Sequence, residues 1–196
     1  MNIGIDIDDT ISETFETLLP YAQKYTIEKL GREAKVDFGK KCINHYYIEE
    51  MFNWSKEESI QFWENNITEI LEKVNIKTFA SEIIKKLSEK GNNIYLITAR
   101  WNTDKNNVEK TTVKWLDEKN VIYDKLFINA EANRKVQLVQ ENDIDIFIDD
   151  SYENCKDVSE KTNAKVFMMN SRVNENFKLE NIKRVYSWYE IEHLIV

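Results

Sequence analysis

Short runs of β-branched and other large apolar residues recur along the chain, at residues 3–7, 94–97, 126–128, 144–148, 166–169 and 182–186. Amphipathic stretches of helical length separate most of them. In residues 104–119, Val108, Thr112, Trp115 and Leu116 fall on one helical face, and in 153–162 Cys155, Val158 and Ser159 do the same. Strand and helix in alternation define an α/β chain with a parallel, doubly wound sheet. Only one Pro and four Gly occur in 196 residues, too few turn formers for an all-β sandwich or barrel.

The first run breaks this rhythm, because roughly eighty residues separate it from the second. Helices are expected there at about 12–30, 43–52, 55–66 and 81–90, the last closed by Gly91. The last is the ordinary crossover helix. Residues 13–79 then form a helical insertion after the first strand, and residues 1–12 and 80–196 the α/β core. No repeat or Pro-rich linker divides the chain, so insertion and core are expected to pack as one body.

A net charge of −8 disfavours duplex nucleic acid as a partner, since a basic face normally supplies most of that affinity. No apolar run approaches the roughly 20 residues that span a bilayer. Acids interrupt the apolar N-terminus and no basic leader precedes it, so it does not read as a signal peptide and the cytoplasm is the expected location. Cys42 and Cys155 match neither a disulfide framework nor a zinc-ligand spacing and are read as reduced thiols.

In an open parallel sheet the ligand crevice lies at the carboxyl ends of the strands. The first strand leaves through Asp6-Ile7-Asp8-Asp9-Thr10, the second through Thr98-Ala99-Arg100 and the fourth through Asp149-Asp150-Ser151, while Lys135 opens the helix leading into that fourth strand. Alternation along the first strand points Asp6 and Asp8 the same way. Carboxylates crowded at a strand edge repel one another, and a hard divalent cation such as Mg²⁺ relieves that repulsion while sharing a substrate phosphate. A phosphoryl group beside a free carboxylate oxygen invites attack and an aspartyl-phosphate, with Thr98 and Lys135 holding the other phosphoryl oxygens. Taken singly, an Asp pair can be a helix cap, Thr98 a strand residue and Lys135 a surface lysine. Their joint placement, at three strand exits and one helix start, is what a structural account leaves unexplained.

These residues resemble the four motifs of the haloacid dehalogenase-like hydrolase superfamily, in the family's order and across nearly the whole chain. Asp6-Ile7-Asp8-Asp9-Thr10 matches DxDx[TV], Thr98 the second motif, Lys135 the third and Asp149-Asp150 the fourth. The resemblance implies Asp6 as nucleophile and Asp8 as general acid and then general base. It implies Mg²⁺ held by Asp6, the backbone carbonyl of Asp8 and the Asp149-Asp150 pair, and phosphate or substrate contacts from Thr98, Ala99, Arg100 and Lys135. The insertion at 13–79 resembles the small helical cap of the family's first cap type. The segments Gly-Ile-Asp-Ile-Asp-Asp-Thr, Ile-Thr-Ala-Arg and Phe-Ile-Asp-Asp-Ser look most like the cytosolic 5′(3′)-deoxyribonucleotidases and their bacterial relatives. Eukaryotic members commonly carry Gly where Asp9 stands.

The expected activity is thus Mg²⁺-dependent hydrolysis of a small phosphomonoester, a nucleotide first and a sugar phosphate or a nucleic-acid 3′-phosphate end second. The protein is expected as a monomer or small homodimer. The insertion carries Phe15, Tyr21, Tyr25, Phe38, Tyr46, Tyr47, Phe52, Trp54, Phe62 and Trp63, rings suited to stacking on a base or to building the insertion's own core. Arg100 either contacts an anionic substrate or pairs with a nearby acid such as Asp104. His45, Arg32, Lys40 and Lys41 read as surface residues. Rival readings are a phosphoacceptor signalling domain, a metal-free dehalogenase and a binding module with a dead site. The position of Asp149-Asp150 after both Thr98 and Lys135 argues against the first. The acidic fourth motif argues against the second, and a complete set of catalytic positions against the third.

Overall fold

The computed structural model describes residues 1–36, 48–177 and 180–195. Phe38, Lys40, Lys41, Cys42, His45, Tyr46 and Tyr47, with the first part of the helix expected at 43–52, lie outside the described residues. The strands are β1 (Asn2–Ile5), β2 (Asn93–Ile97), β3 (Lys125–Phe127), β4 (Ile146–Asp149), β5 (Lys165–Met169) and β6 (Ile182–Val185). The helices are α1 (Thr14–Glu28), α2 (Ile48–Met51), α3 (Lys56–Lys73), α4 (Ala80–Glu89), α5 (Val108–Glu118), α6 (Ala132–Glu141), α7 (Tyr152–Lys161) and α8 (Trp188–Leu194). All strands are parallel, in the order β3-β2-β1-β4-β5-β6.

Alternation along the strands feeds two cores. Ile3, Ile5, Ile94, Leu96, Ile146, Ile148, Phe167 and Met169 face α4, α5 and α8, whereas Tyr95, Ile97, Phe147, Val166 and Met168 face α6 and α7. At Gly4 this second face has no room: a Cβ would stand 3.2 Å from Ile144 Cγ2 and 3.3 Å from both Ile97 Cδ1 and Phe147 Cδ2. Gly4→Ala is therefore expected to destabilise by about 1–3 kcal/mol through overpacking, read by urea denaturation; an unchanged midpoint would mean that all three neighbours can yield.

The insertion is helical, as α1, α2 and α3, and its first and third helices pack together. The third starts at a complete capping box, in which Ser55 Oγ accepts from Glu58 N and the Glu58 carboxylate accepts from Ser55 N. It runs about two turns past the expected end, because Ile67, Ile70 and Leu71 continue its buried face. Tyr25, Phe52, Trp54 and Phe62 are buried against one another with ring centroids 4.8–5.6 Å apart, so these rings build the insertion's core. The two connections to the sheet run side by side: Glu13 N donates to Asn75 C=O, Lys77 N to Ile11 C=O, and Ser12 bridges Ile76 antiparallel. No helix among the described residues is long and apolar enough to cross a membrane.

Candidate active site

The sheet order places a topological switch at β1 and β4, which are neighbours whose continuations run to opposite sides. One residue past β1, Asp6 N still donates to Ile148 C=O, and the chain then wraps around the Ile7 carbonyl, which accepts from the backbone N–H groups of Thr10, Ile11 and Ser12 and from Ser12 Oγ. Asp9 sits in this wrap at φ +55°, a left-handed conformation that Asp tolerates better than most residues and that glycine adopts freely. Its Oδ1 accepts from Phe15 N at 3.0 Å and fastens the wrap to the start of α1. Trp188 Nε1 donates to Thr10 C=O, whereas Thr10 Oγ1 is buried without a partner. Thr10→Val is expected to leave stability unchanged or raise it by about 1 kcal/mol, since it removes an unsatisfied hydroxyl at constant shape. A clear fall in thermal midpoint would show that this hydroxyl is paired in solution.

Lys135 projects from the first turn of α6 into the switch point and is 1% exposed. Its Nζ donates to Asp6 Oδ1 at 2.6 Å and to Asp149 Oδ2 at 2.7 Å. Asp149 Oδ1 also accepts from Ser151 N, and the Asn154 amide donates to both Asp149 oxygens. Carboxylate oxygens of Asp6, Asp149 and Asp150, all buried, lie within 4.8 Å of one another. The backbone at Asp150 is fixed by Asn174, whose Nδ2 donates to Asp150 C=O at 2.6 Å and to Met169 C=O at 2.7 Å while its Oδ1 accepts from Arg184 Nη1.

Burial pushes Asp6 up to about 8, with Lys135 opposing and Asp149 and Asp8 reinforcing the rise. Burial likewise lifts Asp150 well above the usual carboxylate range, helped by Asp9, Asp6 and Asp8, and lifts Asp9 to about 7 against the hydrogen bond from Phe15 N. Lys135 is shifted upward: burial disfavours its charge, but Asp149 and Asp6 outweigh that. The cluster therefore holds more acid than its single ammonium can balance. Hard oxygen donors and an acid excess are what a divalent cation such as Mg²⁺ requires, and Asp6, Asp149 and Asp150 fit one.

Asp8 differs. Its side chain is about a third exposed (32%) and stands outside the three-acid cluster. Its carboxylate is gripped by Arg100, with Nη2 2.8 Å from Oδ1 and Nε 2.9 Å from Oδ2, and Thr14 Oγ1 donates to Oδ1 at 2.7 Å. Burial pushes the Asp8 carboxyl up, but the charge and hydrogen bonds of Arg100 and the bond from Thr14 bring it below its ordinary value. Thr98 is buried, with its Oγ1 3.4 Å from Asp8 Oδ2, and Ala99 is exposed at the mouth. Arg100 thus meets an acid, but the acid is Asp8, beyond the neighbouring strand β1, rather than Asp104. Beside it Trp101 is half exposed and stands edge-on to Trp63 of α3, with centroids 6.1 Å apart.

All of the sequence-derived site residues are brought to one edge of the sheet. Sequence reasoning missed Asn154, Asn174, Thr14 and Thr112. Asn154 had a weak signal, one helical turn beyond Asp150, whereas Asn174 lies in an irregular loop after β5 that carries no pattern.

An acid and lysine cluster at the switch point of a parallel sheet is the arrangement of haloacid dehalogenase-like phosphatases, and the fold agrees. A haloacid dehalogenase-like hydrolase from Streptococcus pneumoniae superposes with TM-score 0.71 at 15% identity, covering 100% of this chain and 98% of that one. A protein from Clostridium acetobutylicum described as a predicted phosphatase does so with TM-score 0.73 at 12% identity, covering 99% and 97%. The particular family follows from the sequence: residues 1–196 match the family described as 5′ nucleotidase, deoxy (Pyrimidine), cytosolic type C (NT5C), and the chain belongs to it. A nucleotidase of Clostridium acetobutylicum is 29% identical over 195 residues, covering 100% of this chain and 93% of the relative.

Proposed function

We propose that this phosphatase removes phosphate from nucleoside monophosphates, with Mg²⁺ as cofactor and an aspartyl-phosphate as intermediate. The observation that carries the proposal is the pairing of Asp6 with Lys135 inside a buried acid cluster. An Asp6 carboxylate oxygen attacks phosphorus, forming the Asp6–O–P bond as the bond from phosphorus to the leaving oxygen breaks. Arg100 holds Asp8 ionised in the free protein, so Asp8 first takes up a proton from solvent as the phosphate binds. It gives that proton to the leaving oxygen, then takes one from the water that attacks the aspartyl-phosphate, so that inorganic phosphate leaves and Asp6 is regenerated. Thr98, the Ala99 backbone and Lys135 hold phosphoryl oxygens, and helices α1–α3 act as a cap over the crevice. A bound Mg²⁺ supplies positive charge against the acids and the phosphate. Asp6, which burial and the neighbouring Asp149 and Asp8 push up to about 8 against Lys135, would then be ionised at neutral pH. Trp63 and Trp101 offer ring edges beside the site for a nucleobase.

The raised acids have a stability consequence with a fixed sign. The folded state retains protons on Asp6, Asp9 and Asp150 that the unfolded chain releases near pH 4, so folding weakens as pH rises from about 4 through about 8. In EDTA the thermal midpoint is expected to fall across that range, and Mg²⁺ to restore it most at the alkaline end. A midpoint with no pH dependence in EDTA would contradict the buried acid cluster.

The test is phosphate release from ribo- and deoxyribonucleoside 5′- and 3′-monophosphates and several sugar phosphates, with Mg²⁺ or EDTA, using Asp6→Asn as blank. Mg²⁺-dependent release from nucleotides supports the reading. Release confined to sugar phosphates would keep the chemistry and discard the nucleotide, and silence across the panel from folded protein would overturn the proposal.

A further inference from the structure

Arg100 presents almost no surface to a substrate. Its side chain is 4% exposed, two of its nitrogens are committed to Asp8 and its third, Nη1, donates to Thr112 Oγ1 at 3.2 Å. Its guanidinium carbon lies 5.6 Å from the centre of the Trp115 ring, and Trp115 is itself pinned through Nε1 to Val74 C=O at the end of α3. The main chain at Arg100 is fixed as well, its N–H donating to Thr98 Oγ1 and its C=O accepting from Asn129 N. With 4% of the side chain exposed and these partners in place, little of the guanidinium is left for a phosphate oxygen. A planar fork held from behind by a hydroxyl and an indole is suited to fixing the plane of a carboxylate.

We propose that Arg100 is a positioning residue: it acts on the substrate through Asp8, by fixing where that carboxylate points, and is not a phosphate ligand. The inference rests on the proposed role of Asp8 as proton donor to the leaving oxygen. Thr112 and Trp115 then support the fork, and a line of contacts runs from the end of α3 through Trp115 and Arg100 to Asp8. An Asp8 free to rotate would cost most where the leaving oxygen needs a proton.

The experiment compares wild type with Arg100→Met and Arg100→Lys in Mg²⁺, on an alkyl phosphate substrate and on p-nitrophenyl phosphate, with orthovanadate as an inhibitor that reads the phosphate site alone. For Arg100→Met, kcat on the alkyl ester is expected to fall about 100-fold, the scale of general acid catalysis, and on the nitrophenyl ester by less than about 10-fold, because that leaving group departs without a proton. KM and the vanadate inhibition constant should stay within about 3-fold, and Arg100→Lys should recover part of kcat. Equal losses on the two esters would reduce Arg100 to a structural role and overturn the inference. A vanadate constant or KM raised about 10-fold with kcat retained would overturn it too, by making Arg100 a substrate ligand. If Arg100→Met does not fold, Thr112→Val removes only the Nη1 anchor, and the same unequal loss on the two esters, smaller in size, is required of it. Failure of the phosphatase reading is separately visible, as absence of phosphate release by the wild type.

Discussion

Asp6→Asn lowers phosphate release by at least about 10⁴-fold while the protein stays folded, as expected for loss of a covalent nucleophile. The amide matches the carboxylate in shape and its oxygen can still accept the Lys135 hydrogen bond, but it carries no charge and forms no phosphoryl ester. The same substitution removes one of three buried carboxylates whose oxygens lie within 4.8 Å of one another. Without divalent cation and above the Asp6 pKa of about 8, its thermal midpoint should therefore exceed that of wild type. Activity and stability moving in opposite directions is the signature of a strained functional group. Turnover at the wild-type rate would remove Asp6 from the mechanism.

Lys135→Met has the largest expected effect on folding. The lysine is 1% exposed and carries the ammonium that bridges Asp6 and Asp149 at 2.6 and 2.7 Å. Methionine fills much of the aliphatic stem but leaves buried acids facing one another without a counter-charge, a loss of about 3–5 kcal/mol at pH 8. The acids escape by taking up protons, so the deficit should shrink at pH 5, where the raised Asp6 and Asp150 are neutral in the folded state. Urea denaturation at the two pH values measures the difference. An equal loss at both would mean that the lysine matters for its packing and not for its charge.

The parts of this architecture that sequence could reveal are those in which a local pattern meets a topological rule. Runs such as residues 94–97 and 166–169 are strands because every position is apolar and both faces are covered, and the rule for ligand sites in parallel sheets then turns three strand exits into one site. Boundaries shifted where a side chain intervened: α5 begins at Val108 and not near 104, because Asn107 caps the helix by accepting from Lys110 N. The helix α8 passed unnoticed, being short and recognisable only once Ser187 is seen to cap it. Within the site, residue identity was legible and partnership was not. Arg100 and Asp8 stand 92 positions apart, and no spacing rule connects them. Asn174 is invisible for the same reason, since a buried amide meets its partners only after β4, β5 and β6 are assembled.

The paired segments at 11–13 and 75–77 tie the outgoing and returning ends of the helical insertion together. To the α/β core the insertion is therefore a side branch grafted on a closed stem. Lengthening or shortening such a branch adds little closure entropy, about 0.6 kcal/mol per doubling, and transmits no change of span to the strands beneath. A change in the length of the insertion can thus leave Asp6, Lys135 and Asp149 in the positions that their hydrogen bonds fix.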